Sequence, residues 1–238
     1  MNMRQVRAIF RKEMREFRRN KQIISTMAVS PIGFLIAPMI FLFSIGASDA
    51  STLYNYPVLL FTLGMAALVP VTVGAYSITG EREQGTLEPV LGTPIGAREF
   101  MLGKALSVFV PGVAESYLVF GVIDGLVWAA RPAAVSAVAL RLSILLAQLI
   151  FTPLLVCLSV WMSMMLSARV SDVRTAQQLG ALINLPVIFL AIAMGFHLIP
   201  VTLTLGVTAG ATLIVLDVAG WWLVSGTFDR ERLILGAR

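Results

Sequence analysis

Apolar residues gather into six long runs along this chain, and short polar segments separate the runs. A bilayer core about 30 Å thick needs roughly 20 apolar residues of helix to cross it. No run alternates apolar and polar residues as a membrane β-strand of about 10 residues does. The pattern therefore predicts an all-α integral membrane protein with six transmembrane helices. We place these helices at residues 23–45, 56–78, 105–129, 143–166, 178–197 and 203–225.

The composition agrees with this pattern. Of the 238 residues, 58% are hydrophobic and only 13% are charged, whereas a soluble domain carries about 25% charged residues. The six runs leave little length for a separate soluble unit. Residues 1–238 are therefore predicted to form a single transmembrane domain.

A different periodicity precedes the first run. Over residues 3–20, apolar and basic side chains fall on opposite sides of a helix. The apolar side has Val6, Ile9, Phe10, Met14 and Phe17, and the basic side has Arg4, Arg7, Arg11, Arg15 and Arg18. The pattern predicts an interfacial elbow helix among the headgroups of membrane lipids. Such a helix could serve only as an electrostatic anchor, or it could also touch a partner protein.

The basic residues indicate the orientation of the spans. If the N-terminus is cytoplasmic and six spans alternate, the inner segments hold 16 of the 18 Lys and Arg residues, and the outer loops hold only Arg131 and Arg141. Loops rich in Lys and Arg remain in the cytoplasm. Both termini are thus predicted to be cytoplasmic. The net charge of +5 follows this topology, so it does not indicate nucleic-acid binding.

No residue pattern indicates catalysis. His197 is the single histidine and Cys157 the single cysteine, so neither a metal site nor a catalytic triad is expected. The phosphate-binding sequence Gly-x-x-x-x-Gly-Lys-Ser/Thr does not occur. We expect a non-enzymatic protein without a cofactor. Uphill transport would therefore need ATP hydrolysis on another polypeptide.

Three acids fall inside predicted spans, namely Glu115, Asp124 and Asp217. Ionisable groups in a bilayer usually face the interior of a helix bundle or water. These acids could form structural hydrogen bonds between helices, or they could contact a substrate or ion. Gln148 and Asn184 are expected to be structural. Gly pairs four residues apart, at 121 and 125 and at 206 and 210, are expected to pack helices within or between subunits.

A charged segment separates the second and third apolar runs, and residues 79–99 are predicted to form a cytoplasmic loop. Near its start this loop contains the run Glu81-Arg82-Glu83-Gln84-Gly85-Thr86-Leu87-Glu88. The acids and the arginine offer charge-assisted hydrogen bonds, Gly85 can adopt a positive φ, and Leu87 can fill an apolar pocket. The segment could bind a soluble partner, or it could be a solvated loop with local salt bridges.

This segment resembles the signature of the type-2 permeases of ATP-binding-cassette (ABC) transporters, in which Glu-Arg-Glu-x-Gly-Thr-Leu-Glu follows the second span. Thr93-Pro94 and Gly103-Lys104, before the third span, are also similar. The resemblance implies the permease subunit of a bacterial or archaeal exporter in the cell membrane. It also implies a dimer, either a homodimer or a related heterodimer, and cytoplasmic ABC ATPase subunits that bind ATP and Mg. Residues 81–88 would be the ATPase-coupling loop, with Arg82 and Glu88 most important.

Other functions remain open at this point. An ion-gradient-driven secondary transporter could use the intramembrane acids, although no internal repeat is visible. A membrane scaffold and an intramembrane enzyme are further alternatives. Drugs, lipids or lipid-linked glycans, peptides and ions are all possible substrates for an exporter.

Overall fold

The computed structural model describes residues 2–85, 95–170 and 172–227, and the side chains of all of these except Gln22 and Thr227. Every regular element in these ranges is helical, and none of the described residues lies in a strand. Six of the described helical stretches are long and apolar enough to cross a membrane. The prediction of an all-helical protein with six candidate spans is therefore confirmed.

The N-terminal helix covers Met3–Phe17, and the six spans follow it in order. They are Lys21–Ser44, Val58–Glu83, Ala97–Ala130, Leu142–Arg169, Val173–Gly195 and Leu203–Thr227. Short helices at Thr52–Asn55 and Ala133–Ala139 join the first span to the second and the third to the fourth.

Three boundaries differ from the prediction by five residues or more. The second span continues to Glu83, the third begins at Ala97, eight residues before the predicted start, and the fifth begins at Val173, five residues before it. Hydropathy marks only the apolar part of a helix, whereas Arg98, Glu99 and Lys104 are compatible with helical structure. The helical spans therefore extend further into residues 79–99 than the predicted loop allowed. The N-terminal helix, in contrast, ends at Phe17, three residues before its predicted end at residue 20.

The second span lies at the centre of the bundle. In its most apolar window 83% of the residues are buried, compared with 11% in the first span and none in the sixth. The first and sixth spans therefore direct most of their apolar side chains outward. In a bilayer this surface would contact lipid or another membrane protein.

Small residues let the second span approach the fourth and the fifth closely. A Cβ atom added to Gly74 would lie 2.1 Å from the Ser163 hydroxyl oxygen, and one added to Gly180 would lie 2.5 Å from a methyl carbon of Val71. The predicted Gly pairs behave differently. Among the described residues, positions 121, 125 and 206 have no neighbouring atom within 4 Å, and position 210 meets the Phe151 ring at 3.9 Å. The Gly pairs therefore do not pack the described helices tightly against one another.

Buried polar side chains also join the spans. Gln148 donates to the carbonyl oxygen of Leu59 at 3.0 Å. Asn184 accepts from Ser159 at 2.9 Å. Gln148 and Asn184 thus form the hydrogen bonds between helices that a structural role predicts.

The two ends of the bundle differ in charge. We call the end formed by the N-terminal helix and residues 81–85, 95–104 and 168–174 the charged end. The opposite end contains residues 45–57 and 131–141. There Arg131 donates to the carbonyl oxygen of Ile45, and Arg141 donates to that of Leu53 at 3.3 Å. These two arginines therefore hold the connections between spans.

Candidate functional site

The charged segment begins where the second span changes its helical geometry. Residues Tyr76–Gly80 form a π-helical turn, which displaces backbone groups from the usual i to i−4 hydrogen bonds. Ser167 of the fourth span compensates. Its hydroxyl accepts from the backbone N–H of Thr79 at 2.9 Å and donates to the carbonyl oxygen of Ala75 at 2.9 Å. The fourth span thereby fixes the geometry of the turn from which Glu81 follows.

Glu81 lies in a buried ion cluster. Lys104 of the third span is fully buried, and its ammonium nitrogen lies 2.9 Å from a carboxylate oxygen of Glu81 and 3.1 Å from one of Glu13. The same ammonium donates to the carbonyl oxygen of Ser77. A buried ammonium is stable only when it is paired and hydrogen-bonded. The cluster therefore joins the N-terminal helix, the second span and the third span.

Lys12 completes this cluster at its solvent-facing side. It forms salt bridges with Glu13, Glu16 and Glu81. Burial acts to lower the pKa of Lys12, but the three carboxylates outweigh burial and hold this pKa above its usual range. Carboxylate oxygens of Glu13, Glu16 and Glu81 come within 4.8 Å of one another, a spacing that could suit a metal ion. All three carboxylates are already paired with lysine ammonium groups, Lys12 with each of them and Lys104 with two.

Arg82 attaches the charged segment to the end of the fourth span. Its guanidinium donates to the carbonyl oxygens of Ala168 and Val170, both at 3.1 Å. The last four carbonyl groups of a helix have no partner within that helix. A cation near them is favourable because the helix dipole is negative at this end.

Glu83 attaches the segment to the start of the fifth span, where its carboxylate accepts from the backbone N–H of Val173 at 2.9 Å. Asp172 caps the same helix by accepting from the Thr175 backbone N–H at 2.8 Å. Hydrogen bonds from Thr175 lower the pKa of Asp172. Gly85 has a φ of +66°, so the predicted turn with positive φ is confirmed.

The predicted coupling residues therefore have different environments. Glu81 is 5% exposed and points into the protein, whereas we expected it at the water edge. The physical reason is the ammonium of Lys104, which needs buried counter-charges. Glu83, Gln84 and Gly85 are exposed. Thr86, Leu87 and Glu88 lie outside the described residues.

Neither Glu13 nor Lys104 was predicted to be a site residue. Both left a signal. Glu13 interrupts the apolar side of the N-terminal helix, four residues after Ile9 and four before Phe17. Lys104 is one of only three lysines and precedes a long apolar run. Opposite charges at two such apolar positions are consistent with a buried pair.

The N-terminal helix packs on the third span. Val6, Ile9 and Phe17 are buried, and a Cβ atom added to Gly103 would lie 2.7 Å from the Cβ of Ile9. The predicted apolar side is thus covered by protein. All five arginines of the predicted basic side are exposed.

The acids inside the spans are half-buried. Ser30 of the first span donates to one carboxylate oxygen of Glu115 at 3.3 Å, and the other oxygen is buried without a hydrogen-bond partner among the described residues. Asp217 lies beside Cys157. Neither of its carboxylate oxygens accepts a hydrogen bond of standard geometry in the described ranges, and one oxygen of Asp124 is likewise unpartnered there. The third span is one continuous helix, so Glu115 and Asp124 lie on opposite sides of it.

Comparison with known proteins gives one informative result. Residues 4–205 match the family described as ABC-2 type transporter. No curated protein sequence matches the chain. The family match includes the N-terminal helix, the ion cluster, the charged segment and the first five spans. On this evidence the chain belongs to the ABC-2 type transporter family and is a membrane-spanning permease of an ABC transporter.

Proposed function

We propose that this protein is the permease subunit of an ATP-driven exporter, that its charged end faces the cytoplasm, and that an ABC ATPase subunit binds there. ATP and Mg would bind to that ATPase. Both termini would be cytoplasmic, in the cell membrane of a bacterium or archaeon. The family match supports the transport class, and the positive charge concentrated at this end supports the orientation.

The main support for this proposal is that three consecutive side chains each contact a different span. Glu81 pairs with the third span, Arg82 binds the fourth, and Glu83 binds the fifth. Glu81 also reaches the N-terminal helix through Lys12. A force applied at residues 84–88 would therefore reach most of the bundle through short polar contacts. Spans joined in this way can tilt together when the ATPase changes shape.

We further propose that two copies, or this chain and a related permease, form the transport pathway between them. The first, fifth and sixth spans expose many large apolar side chains, for example Ile40, Leu182 and Val215. The Gly pair at 121 and 125 also has open space beside it. Lipid or a second permease could cover such surfaces, and close helix packing in membranes favours small residues.

Charge reversal tests the coupling role. Glu83→Lys and Glu88→Lys should each reduce stimulation of the ATPase by the permease in proteoliposomes at least severalfold, because a partner that binds these acids would meet a repulsive charge. Asp49→Lys is the matched control, since Asp49 is exposed at the opposite end. Unchanged ATPase stimulation in both test variants would reject the coupling role.

Loss of stability could imitate loss of coupling, because Glu83 also caps the fifth span. Glu83→Gln retains an oxygen that can accept this hydrogen bond and should leave thermal unfolding nearly unchanged. Co-purification with the ATPase gives a second readout. Replacing residues 84–88 by a Gly/Ser linker should abolish recovery of the ATPase while the permease still inserts into the membrane. Full recovery of the ATPase would reject this segment as its binding site.

The family match gives no support to the gradient-driven alternative. The half-buried carboxylates of Glu115, Asp124 and Asp217 could still contact a substrate in an ABC permease, or they could serve only in packing. Glu115→Gln would distinguish these roles, because a substrate contact predicts a changed dependence on substrate and a packing role predicts a changed unfolding temperature alone.

A further inference from the structure

One face of the N-terminal helix is strongly positive. It carries the exposed arginines Arg4, Arg7, Arg11, Arg15 and Arg18, which we call the arginine face. Among the described residues, no acid forms a salt bridge with any of these five side chains. The helix contains two acids, Glu13 and Glu16, and lysines pair with both. The positive charge of the arginine face therefore remains directed at its surroundings.

The structure fixes the direction of this face. The backbone N–H of Asn2 donates to Glu99 at 3.0 Å, and Glu13 binds Lys104 at 3.1 Å. These contacts span about 16 Å along the N-terminal helix but only about 7 Å along the third span. The axes of the N-terminal helix and the third span are therefore inclined to each other. Its buried side is held against that span, so the arginine face points away from it.

The arginine face also lies close to the start of the first span. The N-terminal helix ends at Phe17, and the apolar stretch that can cross a membrane begins at Ile23. A connection of five residues keeps Arg18 near the level at which the first span enters the bilayer. An amphipathic helix inclined to a span at this level can lie among the lipid headgroups. Lipid phosphates are the anions found at that depth.

We propose that the arginine face binds the phosphate groups of anionic phospholipids in the leaflet next to the charged end. Guanidinium groups match phosphate oxygens in geometry and can form two parallel hydrogen bonds to them. Five such groups on one side of a fixed helix provide several contacts without a cost in ordering the backbone. Lipid binding by this face would hold whether or not the protein works with an ATPase.

Titration of the purified full-length protein in neutral detergent tests this proposal. Native mass spectrometry would count bound short-chain phosphatidylglycerol, with phosphatidylcholine of equal chain length and inorganic phosphate as separate probes. The test variant is Arg4→Gln/Arg7→Gln/Arg11→Gln. The matched control is Arg98→Gln/Arg169→Gln/Arg174→Gln, which removes the same charge from exposed arginines outside the N-terminal helix.

We expect wild type to prefer phosphatidylglycerol over both other probes. The test variant should lose roughly tenfold to a hundredfold in apparent affinity at low salt, because each arginine near anionic lipid contributes severalfold. The loss should shrink as salt is added. The control variant should bind nearly as wild type does. Arg4→Lys/Arg7→Lys/Arg11→Lys should keep most of the binding, which would separate lost charge from misfolding.

Several results would overturn the proposal. Equal losses in the test and control variants would mean that net charge alone attracts the lipid. Equal binding of phosphatidylglycerol and phosphatidylcholine would mean that the headgroup charge is not recognised, and binding of inorganic phosphate alone would exclude a lipid site. A test variant that binds phosphatidylglycerol normally but no longer recovers an ATPase subunit would assign the arginine face to a protein partner.

Discussion

The charged end and the interior of the spans differ in whether their buried ionisable side chains are paired. At the charged end, Lys104 is fully buried, and among the described residues its ammonium pairs with two carboxylates and a backbone carbonyl and lies over the Phe100 ring. Inside the spans, Glu115 and Asp217 are half-buried and keep oxygens without hydrogen-bond partners among the described residues. Paired charges join helices into one unit, whereas unpaired carboxylates remain able to bind something else.

The largest expected effect comes from removing the cation at the centre of the ion cluster. Lys104→Met would leave Glu13 and Glu81 buried beside each other, with only Lys12 nearby. We expect the free energy of unfolding to fall by about 3–5 kcal/mol, measured by thermal or denaturant unfolding in detergent. Lys21→Met is the control, because Lys21 is exposed, and it should change stability by less than about 0.5 kcal/mol.

If Lys104→Met and Lys21→Met unfold alike, the charged end is not held together by its ion cluster. Adding Glu13→Gln to Lys104→Met sharpens the comparison. The second substitution removes one of the two carboxylates that Lys104 had neutralised, so the double variant should be more stable than the sum of the single effects predicts.

A smaller loss is expected from the hydroxyl that supports the π-helical turn. Ser167→Ala would remove the acceptor for the Thr79 backbone N–H and the donor to the Ala75 carbonyl oxygen. An unsatisfied buried polar group costs about 1–3 kcal/mol, and unfolding of the purified protein would measure this cost. Ser225→Ala should be nearly neutral, because in the described part of the chain the Ser225 hydroxyl bonds within its own helix. Equal unfolding of the two variants would show that Ser167 does not support the turn.

The interior acids should respond differently from the charged end. Glu115→Gln and Asp217→Asn each replace a carboxylate that has at least one unpartnered oxygen among the described residues, so neither should lower the free energy of unfolding, and any change should stay within about 1 kcal/mol. The same unfolding assay would measure it. A loss of 2 kcal/mol or more in either variant would mean that its carboxylate is paired, and the contrast between the two regions would fail there.

The smallest effect concerns the cap of the fifth span and depends on pH. Because hydrogen bonds lower the pKa of Asp172, its ionised form stabilises the folded protein above the unfolded pKa of about 3.9. This contribution should disappear as the pH falls through the lower folded pKa. Asp172→Ala should therefore unfold at a lower temperature than wild type at pH 6, and this difference should shrink in strong acid. Asp172→Asn should keep the cap at both pH values.

Much of the fold could be predicted from the sequence because apolar runs of sufficient length have few other stable forms. The six spans and the Gly85 turn follow from local properties of the chain. The exposed arginines and the buried Val6, Ile9 and Phe17 follow from helical periodicity. The length of the third span could not be predicted in this way, because hydropathy does not detect the parts of a helix that extend beyond the apolar run.

The candidate site was less predictable because its contacts join distant residues. Lys104 and Glu13 are 91 positions apart, and Arg82 reaches a carbonyl 86 positions away. Nothing local indicates that Glu81 turns inward while Glu83 remains exposed. Side-chain direction at the end of the second span depends on the π-helical turn, which hydropathy does not reveal.

The π-helical turn sets the angular position of everything that follows it in the second span. Widening one helical turn by a residue rotates the downstream side chains by about 100° relative to an uninterrupted α-helix. Glu81, Arg82 and Glu83 thereby meet three different neighbours in succession. The number of residues between Tyr76 and Gly80 thus determines the contacts of these three side chains as much as their charges do. Deleting a single residue there would retain every charged group and still misdirect all three.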